Sequence, residues 1–191
     1  MEEFLEPKKS KVDKTERAQQ TFFRVTFMNN CNLLQIADNK ANIVISINAL
    51  VISSVVAIIG YGTISNQIDY QGTITLVPIL ILLTTCLTST ILAVQAARPK
   101  VLGRRNYKVE EVKSSMMFFG VSSNFSLSEY LEELDRVLTN KKDVQEQMAI
   151  SLYYQGKVLN RKYTLLAHAY TVFIMGLAIG VITFFIYLMV L

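Results

Sequence analysis

Arg98, Lys100, Arg104, Arg105, Asn106 and Tyr107 are the residues of this chain whose types and spacing best suit chemistry. Guanidinium groups present forked donors that fit phosphate oxygens two at a time, and a neighbouring tyrosine adds a ring to stack on. The set would hold a phosphate-bearing small molecule; anionic lipid headgroups would satisfy the same cations. Phe118, Phe119 and Phe125 follow a short way on. Aromatic rings stack on exposed nucleobases, and the same three rings would also fill a small apolar core.

Other chemistry finds no footing. The chain has no Walker loop, no HExxH and no cysteine pair at zinc spacing. Its two cysteines, Cys31 and Cys86, argue against a disulfide, because one precedes an apolar run and the other lies inside one. His168 is the single histidine and cannot build a metal cluster. Glu110–Glu111 and Glu132–Glu133 fall on polar helix faces, as solvated surface rather than an acid–base pair. The expectation is a protein with no catalytic residues, no metal and no cofactor.

The elements that must position the basic cluster are membrane-spanning helices. Asp38 and Lys40 are the last charges before a run from Ala41 to Gly60 that has none. About 20 apolar residues rising 1.5 Å each cover roughly 30 Å, the thickness of a bilayer core. No Pro or Gly lies between Pro7 and Gly60, so one long helix runs from a polar stretch into the bilayer. Ahead of the span, Phe23, Phe27, Cys31, Leu34 and Ala37 form a near i, i+4 stripe. Within it Asn42, Ser46, Ala49, Ser53 and Gly60 form a small or polar stripe. In lipid, small faces and interhelical hydrogen bonds mediate packing, so this stripe is expected to meet another helix. A sharper reading makes Asn42, Ser46 and Asn48 a path that hydrates on activation, although Asn42 and Asn48 lie on different faces.

A second span runs from about Ile74 to Ala97, with Pro78 near its first turn and Arg98-Pro99-Lys100 to stop it. Its hydroxyls, Thr84, Thr85, Thr88, Ser89 and Thr90, can bond back to helix carbonyls or across to neighbours. Val109 to Phe119 reads equally as helix or strand. Ser126 and Glu129 form a capping box for an amphipathic helix carrying Leu127, Tyr130, Leu131, Leu134, Val137 and Leu138. Thr139-Asn140 breaks it and caps a further helix, which continues without a breaker into a third span. Gly176 and Gly180 give that span a G-x-x-x-G face for close helix approach, within the bundle or between copies.

The Lys/Arg distribution orients the spans. Of 19 such residues, seven precede the first span and twelve lie in 98–162, while the loop between the first two spans has none. The positive-inside rule then places the N-terminus in the cytoplasm and the C-terminus outside. The net charge of +4 suits a protein facing anionic lipid better than a nucleic-acid binder. The expected organisation is a cytosolic tail and helix over 1–40, spans over 41–60, 74–97 and 163–191, a short external loop over 61–73, and a cytosolic helical region over 98–162. The fold class is an all-α membrane protein with three transmembrane helices and a helical cytosolic region, its long helices continuing from cytosol into the bilayer.

Taken as a set, Phe22-Phe23-Arg24, the stretch from Gln35 through Asp38-Asn39-Lys40-Ala41 to Ala49, Ala96 to Lys100, Met117-Phe118-Phe119-Gly120, Ser128-Glu129-Tyr130 and Gly156 to Tyr163 carry a resemblance. The chain resembles the transmembrane effectors of bacterial Pycsar antiphage systems from about Phe22 to its end. The resemblance implies that a partner pyrimidine cyclase makes a cyclic pyrimidine mononucleotide, cyclic UMP or cyclic CMP, during phage infection. The effector binds it and the inner membrane loses integrity, an abortive infection. Some relatives carry an enzymatic domain ahead of the spans, and this chain is expected to act through its membrane part alone. On that reading Arg104 and Arg105 are the candidate phosphate ligands, and Phe118 and Phe119 the candidate base-stacking residues. The implied partners are the lipid bilayer, the nucleotide, the cyclase and further copies of the chain in a homo-oligomer, with no nucleic acid polymer. A different class is a membrane-anchored adaptor whose cytosolic helices recruit a protein without permeabilising anything. A lipid- or ion-handling enzyme or transporter is disfavoured by spans that hold no Asp, Glu, Lys or Arg.

Overall fold

A backbone that must satisfy its own polar groups in hydrocarbon has the α-helix as its simplest solution. The computed structural model of the chain is all-α and describes residues 8–64, 73–99, 116–117, 122 and 125–190. Among the described residues four helices follow in order: α1 Lys8–Ile64, α2 Thr73–Ala97, α3 Leu127–Thr139 and α4 Lys141–Val190. Of these, α1, α2 and α4 are long and apolar enough to cross a membrane, which makes the protein a multi-pass membrane helical bundle. With no breaker after Pro7, α1 already starts at Lys8, and it continues through Tyr61–Ile64, expected as loop. Pro78 lies inside α2 rather than in its first turn, since the helix already begins at Thr73. The ambiguous stretch 109–119 lies outside the described residues except for a turn at Met116 and Met117.

The chain divides into two compact units, one of Met1–Leu33 with Pro99–Leu159 and one of Leu34–Arg98 with Asn160–Leu191. The second unit is built from the apolar parts of α1, α2 and α4. Its interior is small: Ala41 and Val44 of α1, Ala93 and Ala96 of α2, and Leu166 and Ala169 of α4 form one buried cluster. Its large side chains, among them Ile43, Leu50, Leu87, Ile91, Ile174 and Phe185, point outward. In water that distribution would be upside down. In lipid, leucine gains nothing by moving inward, and small residues let backbones approach closely. The G-x-x-x-G face serves this contact within the chain: Gly176 and Gly180 are both buried, Gly176 against Thr85 and Gly180 near Leu82. Contacts descend α2 as they climb α4, so the two helices run antiparallel.

The stripe expected to pack on α1 does not. Asn42, Ser46, Ala49, Ser53 and Gly60 are all exposed in the chain, and the buried face is Ala37, Ala41, Val44 and Asn48, about a third of a turn away. Two interactions select that face. Asn48 meets Ser89, and Asp38 forms an ion pair with Lys162. The lysine side chain is 14% exposed and the aspartate 43%, so the pair is sunk mostly at its cationic end.

In the first unit the capping box forms as expected. Ser126 Oγ accepts from the Glu129 N–H, and the Glu129 carboxylate accepts from the Ser126 N–H at 2.9 Å. Asn140 stops α3 and caps α4, its Oδ1 accepting from the Lys142 N–H at 3.1 Å. Only part of the α3 apolar face is covered: Val137 is buried and Tyr130 and Leu134 partly so, while Leu127, Leu131 and Leu138 are exposed. Met116 is buried, its N–H donating to Gln147 Oε1 at 3.0 Å.

Two expectations follow for the purified protein in detergent. Gly176→Ala drives a methyl into the Thr85 side chain and should destabilise the bundle by about 1–3 kcal/mol, whereas Gly180→Ala, which meets a leucine tip at 3.3 Å, should cost less. Asp38→Asn strands the more buried partner and should lower the melting temperature more than Lys162→Met does, by roughly 1–3 kcal/mol. Equal melting temperatures within either pair would refute the corresponding packing account.

Candidate functional site

Arg104, Arg105, Phe118 and Phe119, together with Lys100, Asn106 and Tyr107, lie outside the described residues. Their neighbours in the expected cluster are placed. Arg98 is exposed at the end of α2, its N–H donating to Val94 O at 2.9 Å. Phe125 is partly buried just ahead of the α3 cap. Glu133 pairs with Arg136 one turn on, and the carboxylate's hydrogen bond and charge hold that guanidinium above its usual range. The glutamate is therefore a surface ion-pair partner. His168 is exposed and its Nδ1 donates to Thr164 O at 2.7 Å, a bond within its own helix. No group of three His, Cys, Asp or Glu suited to a metal occurs among the described residues.

The first unit contains a cavity of about 400 Å³, within the range of small-molecule pockets. Helical spacing makes its walls. Glu16, Gln19, Gln20 and Phe23 fall on one face of α1, three and four residues apart. Lys141, Val144, Gln145 and Met148 do the same on α4, and Leu138 and Thr139 close one side from the end of α3. The polar groups are paired across the gap. Lys141 forms an ion pair with Glu16, and Gln145 Nε2 donates to Gln19 Oε1 at 2.7 Å. That leaves the Gln19 amide nitrogen as donor and the Gln145 carbonyl as acceptor, beside the Phe23 ring. The sequence holds no local sign of this arrangement, because each pair joins residues more than a hundred positions apart.

The second unit contains a different site. Asn48, fully buried, donates from Nδ2 to Ser89 Oγ at 3.0 Å, and Ser89 donates to the Ala169 carbonyl at 2.9 Å. One polar chain thus joins all three spans. It is incomplete: Asn48 Oδ1 is buried with no hydrogen-bond partner. An unmet acceptor in such a place costs about 1–3 kcal/mol. Asn42, by contrast, is exposed, so the two asparagines do not share one lining.

No curated protein and no solved structure matches the chain. A family model described as Pycsar effector protein domain matches residues 22–189. That match takes in the whole of α2 and α3 and nearly all of α4; it covers the Asn48–Ser89 site and the α3 and α4 walls of the cavity, while Glu16, Gln19 and Gln20 precede it. The chain belongs to the Pycsar effector protein domain family.

Proposed function

We propose that the chain is an antiviral-defence effector that binds cyclic UMP or cyclic CMP made by a partner cyclase and then impairs the integrity of the bacterial inner membrane, ending the infection with the cell. Family membership supports the reading, and the observation that carries it is the half-satisfied polar chain at Asn48. The unmet acceptor on that amide makes the resting packing less stable than one in which it is bonded. A bundle that must change its arrangement gains from it, because a ligand can shift an equilibrium only between states of comparable free energy. The effector has no catalytic step; its work is conformational. In this reading the N-terminus and residues 98–162 are cytoplasmic, the C-terminus is external, and several copies assemble. Arg104 and Arg105 hold the phosphate, with Phe118 or Phe119 on the base.

A second reading has its own observation. The exposed leucines of α3, Leu127, Leu131 and Leu138, would suit an adaptor that recruits a protein partner. Dye entry separates the two. Cells expressing the chain should admit a membrane-impermeant dye when cyclic UMP or cyclic CMP is supplied; ligand binding with full dye exclusion would support the adaptor. Asn48→Ala should reduce dye entry at a given nucleotide concentration by about tenfold, with apparent nucleotide affinity falling in step, the effect of a roughly 1.4 kcal/mol change in the balance of states. Arg104→Glu with Arg105→Glu should weaken binding by roughly tenfold or more, and undiminished affinity would remove both from the site. Cysteine labelling that placed 98–162 outside the cell would overturn the orientation.

A further inference from the structure

We infer that the first-unit cavity reads the edge of the pyrimidine base, through Gln19 and Gln145. The inference rests on the nucleotide-effector reading and assigns residues to its recognition step. The hydrogen bond from Gln145 Nε2 to Gln19 Oε1 fixes both amides, so the pair offers one outward donor, on Gln19, and one outward acceptor, on Gln145. Uracil presents the complement on adjacent atoms: O4 accepts and N3–H donates. Cytosine presents it on the same two positions with the roles exchanged, N3 accepting and the N4 amine donating, so its ring enters turned over.

The remaining walls suit the same guest. Phe23 supplies an aromatic surface, and Val144 and Met148 supply apolar contact. Lys141 is the cation of the cavity, and it is balanced by Glu16, so the pocket is close to neutral at the base. A neutral ring suits that wall better than a phosphate does. The two helices that hold the glutamines, α1 and α4, also supply the first and third spans. A base bound to the Gln19 amide nitrogen and the Gln145 carbonyl keeps the direct bond and adds one new bond to each helix.

The experiment is isothermal titration of the full chain in detergent with 3′,5′-cyclic UMP, cyclic CMP and N3-methylated cyclic UMP. Wild type is expected to bind the first two and to lose about tenfold or more in affinity for the methylated nucleotide, which has no N3–H. Gln19→Leu and Gln145→Leu are each expected to weaken binding of cyclic UMP and cyclic CMP by about tenfold, with helicity unchanged. Gln19→Glu keeps the shape and removes the amide donor to the base, and serves if a leucine variant does not fold. Affinities within about twofold of wild type in folded glutamine variants would overturn the assignment while leaving the effector reading intact. Wild type that binds neither cyclic nucleotide would overturn both.

Discussion

The hydrogen-bond chain from Asn48 through Ser89 to the Ala169 carbonyl is the interaction on which the spanning unit depends. Helices in lipid receive no hydrophobic reward for association, so contact must come from close backbone approach and from polar bonds that have no other partner. Alanine and glycine at the three-way contact bring the helices near enough for a short side chain such as Ser89 to reach a backbone carbonyl on another helix. The small interior and the polar chain therefore need each other. Larger side chains would hold the helices too far apart for the bonds, and without the bonds the close approach would have nothing to fix its register.

Ion pairs follow the same division by solvent. Lys141 and Glu16 are joined in the first unit with the lysine largely exposed, where such pairs contribute at most about 1 kcal/mol. Asp38 and Lys162 are joined in the second with the lysine nearly covered. A cation withdrawn that far from water needs its partner, so the pair fixes which side of α1 turns inward. The Asp-Asn-Lys-Ala run that leads into the first span is therefore structural at its aspartate.

Much of this was legible in the sequence. Charge-free runs of bilayer length located the spans, and the Ser126–Glu129 spacing announced a helix start. The lack of any breaker after Asn140 announced a helix continuing to the chain's end. What could not be read was the inward face of α1. A 3.6-residue period stands out when one side of a helix meets water, because that side must be polar. With lipid on the outside both sides are apolar, so the pattern pointed to the Asn42–Ser46 stripe and carried no sign of the Ala41–Asn48 face that turns inward. The choice was made by Asp38 finding Lys162, a partner more than a hundred residues away that no local spacing reveals. The cavity glutamines were hidden for the same reason. Gln19 and Gln145 are ordinary helix-surface residues until the fold sets them side by side.

The hydroxyls of α2 divide into two kinds. Thr84, Thr85, Thr88 and Thr90 each donate to a carbonyl of their own helix, at 2.8 or 2.9 Å to residue i−4. Their polarity is cancelled locally, so α2 can leave the translocon and reside in lipid before its neighbours arrive. Ser89 alone among these five sends its proton to another helix. It is thus the one hydroxyl of the group whose partner is supplied by α4, which follows α2 in the chain, so that bond forms only once both helices are in place.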